Sequence, residues 1–221
     1  MKRKIAHFLV LITAGFPTQA SIAQSNSVQF VDGDGQALES AIVELVLPDT
    51  MVQEYQQPKE IAVDQVDGEF VPTVSVISAG NAVSFPNSDD ILHHVYSFSP
   101  AKTFNIPLYG RGSNSDYREE FVTAGAVEIG CNIHDWMLAY IYVAETELHA
   151  VSGADGIAQI SNVPSGKFNL RVWHSRISAE QLETLLPVDT SDGAAIEMEV
   201  TIKLERDRSL RRAPTAGRRR Y

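Results

Sequence analysis

Residues 126–143, AVEIGCNIHDWMLAYIYV, hold the only cysteine of the chain and decide how the rest of it is read. AVEIG and AYIYV are short runs rich in β-branched and aromatic residues. They flank a compact loop, the pattern of two strands joined by a turn. Inside the loop, Cys131, His134 and Met137 follow one another at every third position. One cysteine in 221 residues excludes a disulfide framework and any zinc site built from several cysteines of one chain.

The same texture extends in both directions. VQFV, AIVELVL, VSVI, AVSF, HVYSFS, AQIS, FNLRVW and IEMEVTIKL are each cut short by Gly, Pro, Asp or Asn, which predicts an all-β chain of sandwiches or barrels. The one helical signal is SAEQLETLL, residues 178–186, with Ser178 as N-cap and Leu182, Leu185 and Leu186 on one face. The length suits one large or two small domains, and 44% hydrophobic residues against 21% charged exclude a wholly disordered chain.

Charge is placed unevenly. Residues 1–23 carry Lys2, Arg3 and Lys4, an apolar run over 5–16, and small residues up to Ala23, which predicts a secretory signal peptide cleaved near Ala23. The apolar run is too short for a bilayer, so stable membrane insertion is not expected, and in a Gram-negative source the protein would be periplasmic. Residues 206–221 hold seven Arg and one Asp and read as a basic disordered tail, with docking on an acidic surface or anionic lipid as the functional alternative. The body between, residues 24–205, has 8 basic against 27 acidic residues, a net charge of −19, which argues against nucleic acid as a partner.

Thiolate, imidazole and thioether are donors that suit copper. One Cys and two His in a plane with a weak axial Met form a copper electron-transfer site, and the thioether tilts the choice away from zinc. The second His has to arrive from a distant strand, and residues 85–99, FPNSDDILHHVYSFS, offer His93 and His94. Neighbouring side chains of a strand point to opposite faces, so only one of the pair can face the Cys131 loop. A filled shell offers no open position for hydrolytic or oxygen chemistry, and no Ser-His-Asp order, acid pair or phosphate-binding Gly loop is present. The expectation is therefore a non-enzyme. A bound copper ion would also keep the thiol as thiolate and hold it out of oxidation.

VSFPNSDDILHHV and AVEIGCNIHDWMLAYIYV resemble the ligand-bearing strands of cupredoxins, with the short Cys-x-x-His-x-x-Met loop of amicyanins. The resemblance implies a Greek-key β-sandwich holding one type 1 copper ion on His93, Cys131, His134 and Met137. It also implies single-electron transfer to a protein redox partner across an apolar surface of Leu92, Trp136 and Leu138 around an exposed His134. Two departures stand out: Leu92 takes the place of a Pro, and His94 that of an Asn whose tie would run to Asn132. Residues 60–143 are similar to the cupredoxin-like proteins labelled methylamine utilization proteins, a label that does not establish a role in amine oxidation here.

The flanks, residues 28–47 and 149–174, resemble carboxypeptidase regulatory-like, transthyretin-type sandwiches. That implies a copper domain over 51–146 inserted into or fused with a second small β-sandwich made of 24–50 and 147–205, with His149 and His174 structural and Trp173 in the core. The alternative function is a non-redox binding protein: a copper carrier or sensor, or an adhesion or carbohydrate-binding-like module with a vestigial site.

Overall fold

The computed structural model describes residues 26–57, 59–112, 117–182 and 184–207. The expected signal peptide and residues 208–221 of the basic tail lie outside the described residues. The chain starts with β1 (Asn26–Asp32), β2 (Ile42–Val46) and a single helical turn, α1 (Asp49–Val52). There follow β3 (Glu60–Ala62), β4 (Asp64–Val66), β5 (Glu69–Val71), β6 (Val74–Ser78), β7 (Asn81–Ser84) and β8 (His93–Ser99). The next strands are β9 (Lys102–Tyr109), β10 (Arg118–Phe121), β11 (Gly125–Gly130) and β12 (Leu138–Ala144). The chain closes with β13 (His149–Val151), β14 (Ile157–Ile160), β15 (Lys167–Trp173), α2 (Ala179–Leu182), β16 (Leu185–Asp189) and β17 (Glu197–Ile202).

The strands between β3 and β12 make one sandwich. A five-stranded sheet, β6-β12-β11-β8-β9, and a three-stranded sheet, β10-β7-β3, share a core that includes Val83, Phe85, Val95, Phe104, Phe121, Ile129 and Ile141. Strand alternation selects the inner face: along β8, His93, Val95 and Ser97 are buried while His94 and Tyr96 are only partly so. The remaining strands make a second sandwich, β14-β1-β17 against β13-β2-β15-β16, around Val28, Phe30, Leu45, Ile160, Leu170 and Ile202.

The chain leaves the second sandwich after β2 and comes back as β13, which pairs antiparallel with β2 from His149↔Glu44 to Val151↔Ile42. The first sandwich thus hangs from two neighbouring strands. A third apolar cluster, Ile42, Tyr142, Ala144 and Trp173, seals the junction. Beside it the buried carboxylate of Glu44 accepts from the Tyr142 hydroxyl at 2.9 Å, the Glu145 N–H at 2.5 Å and Arg171 Nη1 at 3.2 Å.

The expected helix over 178–186 is corrected. Only Ala179–Leu182 is helical, and Leu185 and Leu186 belong to β16, which pairs with β15. Pro187 disfavours a helical conformation at Leu186, and pairing places Leu186 against the second core. Ser178 does not cap through its side chain; its Oγ is buried with no hydrogen-bond partner among the described residues. α1 is a further short helix that the sequence reading left out.

Candidate metal centre

β11 and β12 pair in unbroken register from Gly125↔Val143 to Gly130↔Leu138, so the seven residues Cys131 to Met137 form a closed loop at the sheet end. Two backbone bonds tighten it, Cys131 N–H to Met137 O at 3.4 Å and Met137 N–H to His134 O at 3.0 Å. The neighbouring strand β8 meets β11 at Tyr96↔Gly130. The approach is close: a Cβ at residue 130 would stand 3.1 Å from the Tyr96 hydroxyl, and the ring would have to give way. Close approach of β8 carries His93 across the fold to the loop.

The ligand-type atoms of His93, Cys131 and His134 lie within 4.8 Å of one another, and all three residues are buried. His93 Nδ1 and His134 Nδ1 are 3.1 Å apart, and Cys131 Sγ is 3.6 Å from His134 Nδ1. Met137 is buried in the same core cluster as Cys131. His94 is not part of the group. Its backbone N–H bonds the Cys131 sulfur, while its Nδ1 is buried without a hydrogen-bond partner among the described residues. His134, the exposed ligand implied by the family resemblance, is buried to 8% exposure under the Trp136 ring, whose centroid is 5.1 Å from its own.

Asp89, four residues before His93, is the partner that sequence reading missed. Its Oδ2 lies 2.6 Å from His93 Nε2, and since an ionised carboxylate only accepts, Nε2 carries a proton and donates it. That leaves Nδ1 aimed at the cluster. The same carboxylate accepts from the backbone N–H groups of Asp67 at 2.6 Å and Gly68 at 2.9 Å. These two residues, at φ 54° and 74°, are the two-residue turn of the β4–β5 hairpin. The Gly68 carbonyl in turn accepts from Trp136 Nε1 at 2.9 Å. The signal for this turn was present as Asp-Gly between strand residues in QVDGEF.

The electrostatics follow from this wiring. Burial pushes the Cys131 thiol up, but a hydrogen bond from His93 and backbone N–H groups of His94, Ile133 and His134 outweigh it and hold the thiol below its ordinary value. Burial pulls His93 down, yet its bonds to Cys131 and Asp89 and their negative charge leave it raised. Burial and the charge of His93 lower His134. For Asp89, burial is overcome by its backbone and His93 hydrogen bonds, and the carboxyl stays below its usual range. A thiol held toward its ionised form and an imidazole braced by a carboxylate thus lie beside a second imidazole in a buried pocket, a donor set that a soft or borderline cation can use.

No protein-family model and no curated protein match the chain. Solved structures similar to it include a purple cupredoxin from Nitrosopumilus maritimus, with TM-score 0.33, 21% identity, and 38% of this chain and 98% of that one covered. A reduced amicyanin variant aligns with TM-score 0.34 and 19% identity over 38% of this chain and 81% of that one. A copper-containing nitrite reductase from Thermus scotoductus SA-01 gives TM-score 0.37 and 25% identity over 44% of this chain, which spans only 27% of that enzyme's chain.

Proposed function

We propose that the chain is an exported, mononuclear copper protein of the type 1 class that passes single electrons and is not itself an enzyme. The observation that carries this reading is the convergence of His93 Nδ1, His134 Nδ1 and Cys131 Sγ in one buried cluster. Imidazole and thiolate are the ligands that such copper takes, and Met137, buried beside Cys131, supplies the thioether that zinc sites lack. Copper held this way would cycle between Cu(I) and Cu(II) with little change of shape.

The residues of the chain do the rest. Asp89 orients His93 and keeps its proton on the far nitrogen. Three backbone N–H groups stabilise the sulfur as thiolate. Trp136, tied to Gly68, covers His134 and limits water. Ile133, beside His134, and Leu92, beside His93, are 48% and 53% exposed and give a redox partner an apolar surface on which to dock. In this reading residues 51–146 are the copper domain, and the second sandwich is a transthyretin-type module of residues 24–50 and 147–205 from which it projects. Among the described residues no helix is long and apolar enough to cross a membrane.

The test is spectroscopic. Copper-loaded protein is expected to show an intense visible thiolate-to-Cu(II) band that disappears in Cys131→Ser. Colourless protein that takes up stoichiometric zinc and no copper would overturn the proposal.

A further inference from the structure

The four candidate donors do not face the same surroundings. A cavity of about 990 Å³ beside the loop is walled by Cys131 and Met137 and reaches neither His93 nor His134. Three smaller cavities among the described residues reach none of the four. The imidazole side is sealed instead. His93 is 0% exposed with its outer nitrogen bonded to Asp89, and His134 lies under the Trp136 ring. Trp136 also lines the cavity, and its bond to Gly68 O holds the ring between that space and His134.

The cavity sits in the corner between the two sandwiches. Tyr96 of β8 and Leu138 of β12 wall it on one side, Arg206 and Asp207 on the other. The chain is led to that second wall by the bridge of Ile177 to Leu204 and by Glu205 N–H bonding Arg176 O at 2.7 Å. A cation that comes through this corner meets a thiol and a thioether before any imidazole. Those soft donors select Cu(I), and a body of net charge −19 draws a cation toward the mouth.

We propose that this cavity is the route by which the centre is loaded, and that it admits copper as Cu(I), with Cys131 and Met137 receiving the ion before His134 and His93. The proposal rests on the copper reading and adds to it the form of the ion and the side of its entry. No electron is exchanged on loading: Cys131 loses only its proton, to solvent, as its sulfur binds Cu(I). Asn132 and Leu138 line the cavity outside the donor cluster, so bulk placed there slows entry and exit alike and leaves the equilibrium unchanged.

The test follows anaerobic transfer of Cu(I) from its coloured bicinchoninate complex to the full chain. Asn132→Trp and Leu138→Trp are each expected to slow uptake about tenfold or more, with affinity measured by competition within about twofold of the parent. Removal of Cu(I) by excess chelator should slow by the same factor. Ile91→Trp, an equal bulk at an exposed position on the His93 side, should leave the rate unchanged. In the metal-free chain, alkylation of Cys131 by iodoacetamide should slow in the first two variants and not in the third. Cu(II) supplied as its glycine complex should load the parent about tenfold more slowly than Cu(I), or slower still. The route is overturned, with the copper reading intact, if both wall variants load at the parent rate, if they lose affinity in place of rate, or if Ile91→Trp slows uptake as much as they do. Cu(II) loading as fast as Cu(I) overturns the assignment of the ion. A parent chain that takes up copper in neither state removes the copper reading and the route with it.

Discussion

Replacing Asp89 by Asn isolates what holds the candidate centre in shape. The carboxylate accepts three hydrogen bonds, from Asp67 N–H, Gly68 N–H and His93 Nε2–H, and its low pKa keeps it an acceptor throughout the neutral range. Asn retains one acceptor oxygen and presents a donor NH2 in place of the other. If the oxygen stays with the turn, the NH2 faces His93 Nε2, and the imidazole relieves the donor-to-donor clash by moving its proton to Nδ1. That proton then points at His134 Nδ1, 3.1 Å away, and closes the nitrogen to a metal. If the oxygen turns to His93 instead, the Asp67–Gly68 turn loses its anchor and Trp136 loses its rest on Gly68 O.

Either outcome removes a charge-assisted bond worth about 1.5–3 kcal/mol. Loss of a partner that orients a ligand His typically weakens metal binding by about 10–100-fold, or about 1.4–2.8 kcal/mol. Copper affinity measured by competition against a chelator should drop in that range for Asp89→Asn, with urea unfolding of the metal-free variant reporting any general loss of stability. If the variant binds copper within about twofold of the parent, Asp89 does not orient His93 and the account of the centre fails.

Three further outcomes follow from other parts of the fold. Glu44 is raised above its ordinary value by burial, so the stability it contributes is full below the usual carboxylate range and is lost as pH rises through its native value. Urea unfolding of Glu44→Gln between about pH 4 and 8 should therefore show the variant gaining on the parent as pH rises, and a constant difference would refute the burial argument. Burial pushes Tyr109 up to about 12, and burial with the charge of Glu44 pushes Tyr142 higher still. Two of the seven tyrosines should stay un-ionised in an alkaline absorbance titration until the chain unfolds, and titration of all seven near 10 with the fold intact would contradict this. Gly156 sits at φ 77°, and a Cβ there would meet Phe30 O at 2.5 Å. Gly156→Ala should cost about 2–4 kcal/mol in unfolding measurements, while copper affinity of the folded protein stays unchanged.

The loop was legible because its chemistry is local: Cys131, His134 and Met137 are spaced by the chain itself, and a closed hairpin needs no distant information to set them on one rim. The His pair was legible only up to a choice. Alternation along β8 allows one of the two to face inward, but which one depends on how β8 pairs with β11, and it is Tyr96↔Gly130 that puts His93 inside. β9 and β10 escaped for a related reason. KTFNIPLY contains a proline and REEF is nearly all charged, so neither alternates as a strand should; their pairing with β8 and β7 makes them strands. The leucines over 182–186 mimic a helical face, and only the proline after them and the waiting edge of β15 decide otherwise.

Each donor of the cluster is held by a different device, and that separates a binding site from an accident of packing. His93 is set by a carboxylate behind it, the Cys131 sulfur by backbone N–H groups around it, and His134 by the Trp136 ring over it and by its own carbonyl bonded to Met137 N–H. Core packing alone would not bring two imidazole nitrogens to 3.1 Å and leave one of them needing a shared proton to avoid repulsion. Apolar residues of the same size would fill that volume at lower cost. The polar contacts persist because Asp89, the Asp67–Gly68 turn and Trp136 form one connected brace from β8 to the loop, so the donors are positioned by the fold itself. A centre braced in this way would resist rearrangement on a change of charge, as the proposed single-electron transfer requires.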